Sequence, residues 1–264
     1  MLPLELQKLR KFNMIMGALH LIQGIMMIFL ATTVIANIAN FKPEIIQYYL
    51  DFIPGQGLVA SSKVLFTLPF GILVACFLLL SAGAHALISI PKKTNAIYNA
   101  DLAQGINKFR WFEYALSSSV MIVLISTLFG VYDIATLVLI FVVNATMNLF
   151  GLVMEQLNAG KAKGKLNWGP FVWGSFAGLA PWFVIILYMS GASSDVVNAV
   201  PWFVWAIVIT YFIAFNTFPV NMVLQYKRVG KWSNYLYGER TYIVLSLVAK
   251  SILAWLVLFG AMQP

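Results

Sequence analysis

The chain has 264 residues, of which 61% are hydrophobic and 10% charged, and it carries a formal net charge of +8 at a mean hydropathy of +0.85. A soluble domain of this size carries about a quarter charged residues, so most of this surface must meet lipid rather than water. The single cysteine, Cys76, excludes an internal disulfide framework and leaves no thiolate set for a zinc site.

The opening MLPLELQKLR is too short and too polar for a cleaved signal, and the apolar run behind it is too long for a signal core, so it reads as a retained first span. Apolar runs bounded by polar or Gly/Pro punctuation follow at roughly 13–36, 64–90, 109–129, 133–156, 168–190, 200–225 and 240–262. They predict an all-α fold, a single seven-helix membrane domain over 1–264. The connections are mostly short, "FGVYDI" between the third and fourth spans being the tightest, so neighbouring helices should pack antiparallel. The stretch 37–63 is longer and contains "KPEIIQYYLDFIPGQG", whose Ile, Tyr and Phe residues ahead of Pro-Gly predict a β-ribbon over the outer face.

Lysine and arginine set the expected orientation. With the N-terminus cytoplasmic, Lys8, Arg10, Lys11, Lys92, Lys93, Lys108, Arg110, Lys161, Lys163, Lys165, Lys227, Arg228, Lys231 and Arg240 fall inside, and Lys42 and Lys63 are left outside. The C-terminus is then extracellular. The basic excess is topology signal with attraction to anionic lipid, which removes the case for a nucleic-acid partner.

With the loops set aside, the titratable groups expected at depth are His20, His85, Glu113 and Lys250, with Arg110 near a helix end and Glu113 as the one deep carboxylate. Ionisable groups inside membrane spans are functional candidates by default. Lys250 falls near the midplane in "GERTYIVLSLVAKSILAWLVLFGAM", and the two histidines and Glu113 fall in the cytoplasmic half. A depth offset of roughly 9 Å between Lys250 and Glu113 is within the combined reach of their side chains, which predicts a buried ion pair. Ser246 precedes Lys250 by one helical turn and shares its face. Ser117, Ser118 and Ser119 follow Glu113, and Asn144 lies in the fourth span.

A desolvated lysine amine condenses with a carbonyl to give a Schiff base. A seven-helix bundle lined with aromatic side chains suits a long, conjugated, apolar aldehyde, and the cation so formed needs a counterion, which Glu113 would supply. Two other readings of the pair remain: a structural ion pair, and a light-independent carrier site for an apolar ligand. There is no metal cluster, nucleophile triad or phosphate loop to support an enzyme.

"FRWFEYALSSSVMIVLIS" around Glu113 and "GKWSNYLYGERTYIVLSLVAKSILAW" around Lys250 resemble the heliorhodopsins, and so do "GALHLIQG", "LSAGAHAL", "FVVNATMNLFG" and "FAGLAPW". The resemblance runs over essentially the whole chain. It implies all-trans retinal on Lys250 as a protonated Schiff base, Glu113 as counterion and Ser246 beside the imine. Tyr114, Ser118, Met121, Asn144, Met147, Trp173 and Phe215 would line the pocket, and His20 and His85 a cytoplasmic-side polar cavity that holds a released proton. It also implies an N-terminus inside, a homodimer and a possible cytoplasmic signalling partner. The spans carry no second carboxylate beyond Glu113 in "YALSSSVMIVLISTLFG", so the expected activity is slow, light-driven conformational signalling without pumping, with a light-gated proton or ion conductor as the alternative.

Overall fold

The computed structural model describes residues 3–34, 42–191 and 200–261. Among them, seven helices are long and apolar enough to cross a membrane. The first, α1 (Pro3–Phe29), continues into a π-helical turn over Leu30–Val34. It begins some ten residues before the expected boundary, because the polar opening is itself helical. Leu9 in that segment is enclosed among Ile88, Tyr98, Leu102, Leu236 and Ile243, and Arg10 donates to the carbonyls of Ser89 (2.7 Å) and Ile90 (3.2 Å), which the end of the next helix would otherwise leave unpaired. The end of the expected first span, at 35–36, lies outside the described residues.

The β-ribbon consists of β1 (Glu44–Ile53) and β2 (Gly57–Thr67), paired antiparallel from Glu44↔Thr67 to Ile53↔Gly57, with a register shift between Ile45 and Ile46. Its turn uses Gly55 and Gly57 at φ +87° and +80°, a region in which other residues are strained. The base of the ribbon is held to the bundle: Ile45 is enclosed in the main apolar cluster, and the Ile46 amide donates to the Tyr132 carbonyl at 2.9 Å.

Then come α2 (Phe70–Ser89), α3 (Lys92–Ala103), α4 (Lys108–Leu128), α5 (Ile134–Asn158), α6 (Gly169–Ser190), α7 (Trp202–Tyr226) and α8 (Tyr235–Ala261). The helix α3 corrects the sequence reading, which left 91–108 as a loop. It is too polar to register as a span, yet it buries Asn95, Tyr98, Asp101 and Leu102 at the three-to-four-residue spacing of an amphipathic helix. Short side-chain caps place the next two helices. Asn107 Oδ1 accepts from the Arg110 amide (3.0 Å) at the start of α4, and Asp133 Oδ2 accepts from the amide and hydroxyl of Thr136 (2.8 and 2.7 Å) at the start of α5.

In the bundle α1 packs on α2, α2 on α4, α4 on α5, α5 on α6 and α7 on α8, and α8 returns to α1. The end nearest the ribbon has an apolar interior that includes Phe77, Leu78, Ile122, Ile125, Leu253 and Val257. The other end encloses Arg110, Glu155 and Glu239. Pro181 interrupts α6 and Pro219 interrupts α7, each freeing a carbonyl one turn earlier.

Asp133→Ala should lower the stability of the fold by about 1 kcal/mol through loss of the α5 cap, read as a lower melting temperature in detergent with the ribbon still formed. An unchanged melting temperature would mean that the cap contributes nothing to α5.

Candidate functional site

Lys250 on α8 is 4% exposed, and all three of its N–H donors are used. Nζ donates to Glu113 Oε1 on α4 (2.7 Å), to Ser81 Oγ on α2 (2.5 Å) and to Ser246 Oγ one turn earlier on α8 (3.0 Å). Ser81 also donates to Glu113 Oε1 at 2.6 Å, so three helices meet at one ion pair. The ammonium lies 5.3 Å from the centre of the Tyr114 ring. Ser81 is absent from the sequence reading: a serine in a long apolar helix carries no signal of its own, and only the packing of α2 on α4 brings it to the pair.

On one side of Lys250 a cavity of about 250 Å³ runs between α4, α5, α6, α7 and α8. Of the residues singled out in the sequence, Lys250, Ser246, Tyr114, Ser118, Met121, Met147 and Phe215 line it. Asn144 stands behind, its amide donating to Ser118 (2.8 Å) and Ser119 (3.0 Å). Trp173 lies elsewhere, 62% exposed on the outer surface of α6 and outside the lining. The aromatic wall is formed instead by Trp182, Tyr211, Phe212 and Phe218, with Trp182 edge-on to Phe212 at 5.1 Å between ring centres. Trp182 belongs to the "FAGLAPW" segment, so on α6 it is Trp182 rather than Trp173 that faces this cavity. Close approach here depends on glycine: a Cβ on Gly178 would come within 2.6 Å of Met147 Sδ.

On the other side, toward the N-terminal end, a smaller cavity of about 40 Å³ is lined by Asn13, Ser81, His85, Asn107, Arg110, Glu113, Glu239 and neighbouring side chains. That volume holds water when polar partners surround it. His85 Nδ1 is 2.8 Å from Asn13 Oδ1. His20 is fully enclosed and stacks on His85 at 5.7 Å between ring centres.

A second buried charge cluster closes this end, and it corrects the expectation that Glu113 is the one deep carboxylate. Arg110 pairs with both Glu155 and Glu239, which are 2% and 1% exposed, and its guanidinium lies 4.0 Å from the Tyr242 ring centre. Asn107 donates to both acids, from its amide to Glu155 (2.8 Å) and from its side chain to Glu239 (2.7 Å). Trp111 Nε1 donates to Glu155 at 2.7 Å. Outside the spans, burial pushes the Tyr98 phenol on α3 well above its usual range and the Glu239 carboxylate adds to the effect, so Tyr98 remains a hydroxyl that donates to Glu239 Oε1 at 3.2 Å.

The heliorhodopsin family model matches residues 9–262. The chain belongs to the heliorhodopsins. Membership makes it a multi-pass membrane protein of a family of non-enzymatic photoreceptors with a retinal chromophore. Among solved structures, it resembles the light-driven proton pump LR (Mac) from Leptosphaeria maculans, with a TM-score of 0.64 over 95% of this chain and 94% of that chain, at 14% identity. At that identity the likeness concerns the fold alone. Comparison with curated protein sequences finds no match.

Gly151→Ala tests the packing under the charge cluster. A Cβ there would stand 2.3 Å from the Trp111 ring, and the ring is tied by its bond to Glu155. The substitution should destabilise by about 1–3 kcal/mol, seen as a lower melting temperature. Full stability would show that Trp111 moves freely.

Proposed function

We propose that this protein is a light sensor in which Lys250 holds all-trans retinal as a protonated Schiff base, Glu113 is the counterion, and illumination drives a slow conformational cycle without pumping. The carrying observation is the meeting of the enclosed Lys250–Glu113 pair with the aromatic-lined cavity at the same nitrogen. The donor set fits the chromophore: a primary amine at the end of an apolar cavity, a carboxylate at 2.7 Å and hydroxyls from Ser81 and Ser246. Bound retinal supplies visible absorption and a light-driven change of shape.

The chain's own groups supply the rest. Glu113 holds the positive charge on Lys250 in a medium where an unpaired charge is costly. Ser81 and Ser246 place hydroxyl acceptors beside Nζ, next to Glu113. Trp182, Phe212 and Phe215 exclude water from the cavity, and Tyr114 flanks the ammonium. A proton displaced toward the N-terminal end enters the small cavity beside His85, with His20 stacked behind it. In the opposite direction it meets the apolar interior around Phe77, Ile122 and Leu253, where the described residues offer no buried acid or histidine as a relay, and this favours sensing over pumping.

The N-terminus is inside in this reading, supported by the basic residues gathered at the N-terminal end of the bundle. The output is a movement of that face, read by a cytoplasmic protein or by anionic lipid. A homodimer fits the ribbon, which exposes Tyr48, Leu50, Phe52 and Leu58, an apolar patch of the sort that marks an interaction surface.

The test is an absorption spectrum of full-length protein expressed with all-trans retinal, beside Lys250→Ala. A visible band in wild type, lost in the variant and bleached by hydroxylamine, is the expected result. No band in folded wild type would overturn the proposal, and a sustained photocurrent in wild type would replace the sensor by a light-gated conductor.

A further inference from the structure

Four hydrogen-bonded groups lead away from the small cavity, and the direction of every bond among them is set by partners that have no choice. Asn13 Nδ2 donates to the Leu9 carbonyl at 3.1 Å. A backbone carbonyl only accepts, so this contact fixes which end of the Asn13 amide is nitrogen. The same Nδ2 reaches the Tyr98 hydroxyl at 3.4 Å, and Tyr98 then turns its proton to Glu239 Oε1 at 3.2 Å, a carboxylate already paired with Arg110. Asn13 Oδ1 is thereby left facing His85 Nδ1 at 2.8 Å. An amide oxygen only accepts, so Nδ1 must carry the hydrogen.

We propose that Asn13 is a positioning residue that holds neutral His85 in its Nδ1–H tautomer, so that the one basic nitrogen of the ring is Nε2, the nitrogen available to the cavity shared with Glu113. The tautomer of a histidine follows from the bond its other nitrogen makes. The His85 ring borders that cavity, and Nε2 has no hydrogen-bond partner among the described residues, yet its neighbours do not seal it in. Both nitrogens of His20, by contrast, are enclosed without a hydrogen-bond partner among the described residues. The two histidines, alike in the sequence, are therefore assigned different work: His85 accepts a proton and His20 packs against it.

The charged groups around His85 are Glu113, Arg110 and Glu239, which line the same small cavity, and Lys250, which is paired with Glu113. A proton taken up at Nε2 converts the ring to an imidazolium that keeps its Nδ1–H bond to Asn13. It leaves by the nitrogen at which it arrived, because the Asn13 amide accepts a hydrogen bond at Oδ1 without passing a proton on. His85 is then a store that fills and empties from the cavity side. This deepens the proposed function, since it rests on the small cavity as the place where a displaced proton is held.

The tautomer is measured in the dark by ¹⁵N NMR of histidine-labelled full-length protein in lipid nanodiscs. The chain has two histidines, so His20→Phe assigns the rings. The expected wild-type spectrum shows His85 with an N–H signal at Nδ1 and a lone-pair signal at Nε2. Asn13→Asp retains the acceptor and should retain that pattern, whereas Asn13→Leu should move His85 to a mixture dominated by the Nε2–H form that free imidazoles favour. If Asn13→Leu does not fold, Asn13→Ala takes its place with the same outcome expected. A wild-type ring protonated at Nε2, or one that keeps Nδ1–H without the Asn13 acceptor, would overturn the proposal. Repeating the measurement on retinal-free protein separates the two readings, because the Asn13 bond is present whether or not Lys250 carries a chromophore.

Discussion

The structure depends on one costly arrangement, an ammonium enclosed in the middle of a helix bundle. Removing a charge from water is expensive, and the mutual attraction of an ion pair seldom does more than offset that loss. Everything near Lys250 answers this constraint. Glu113 supplies the opposite charge, and Ser81 and Ser246 accept the remaining N–H bonds. The pair therefore fixes how α2, α4 and α8 sit relative to one another, and so fixes where the large cavity begins. An arrangement that gains so little stability calls for another reason to exist, and a chromophore that must be bound as a cation is such a reason.

The N-terminal end of the bundle repeats the solution with different residues. Arg110 joins α4 to Glu155 on α5 and Glu239 on α8, while Asn107, Trp111 and Tyr98 occupy the remaining oxygens. Two acidic side chains share one guanidinium, and Arg110 and Glu239 line the same small cavity as Glu113. The two charge clusters are thus joined through a polar space rather than separated by an apolar wall. At the ribbon end of the bundle the interior around Phe77, Ile122 and Leu253 is apolar, and in the proposed cycle that asymmetry would direct a displaced proton toward the N-terminal end.

Much of this was legible in the sequence, for definite reasons. Long apolar runs leave few readings other than spans, and a lone lysine or glutamate inside such a run stands out because depth makes charge expensive. Lys250 and Glu113 are visible for that reason, and the β-branched and aromatic residues ahead of Pro-Gly point to the ribbon. The charged residues at helix ends were harder. Hydropathy stops at "GER", which leaves Glu239 just outside the expected span 240–262, whereas Arg110 pairs with it and α8 begins at Tyr235. The helix α3 was missed because an amphipathic helix lying against a membrane bundle has the composition of a loop. Ser81 and Asn13 are small polar residues whose importance comes from partners on other helices. Trp173 and Trp182 are both tryptophans on α6, and composition does not say which of them faces inward.

The most direct test of the central claim is to remove the pair together. Lys250→Met combined with Glu113→Leu replaces both charges by apolar groups of similar size, and the thermal melting of this retinal-free double variant is compared with that of the retinal-free wild type. If the pair exists for the chromophore, the variant folds, stays colourless with retinal and melts at or above wild type, since exchanging a buried ion pair for apolar contacts is neutral or stabilising by about 1–4 kcal/mol. A double variant that fails to fold, or melts far below wild type, would make Lys250 and Glu113 a structural pair and contradict the account.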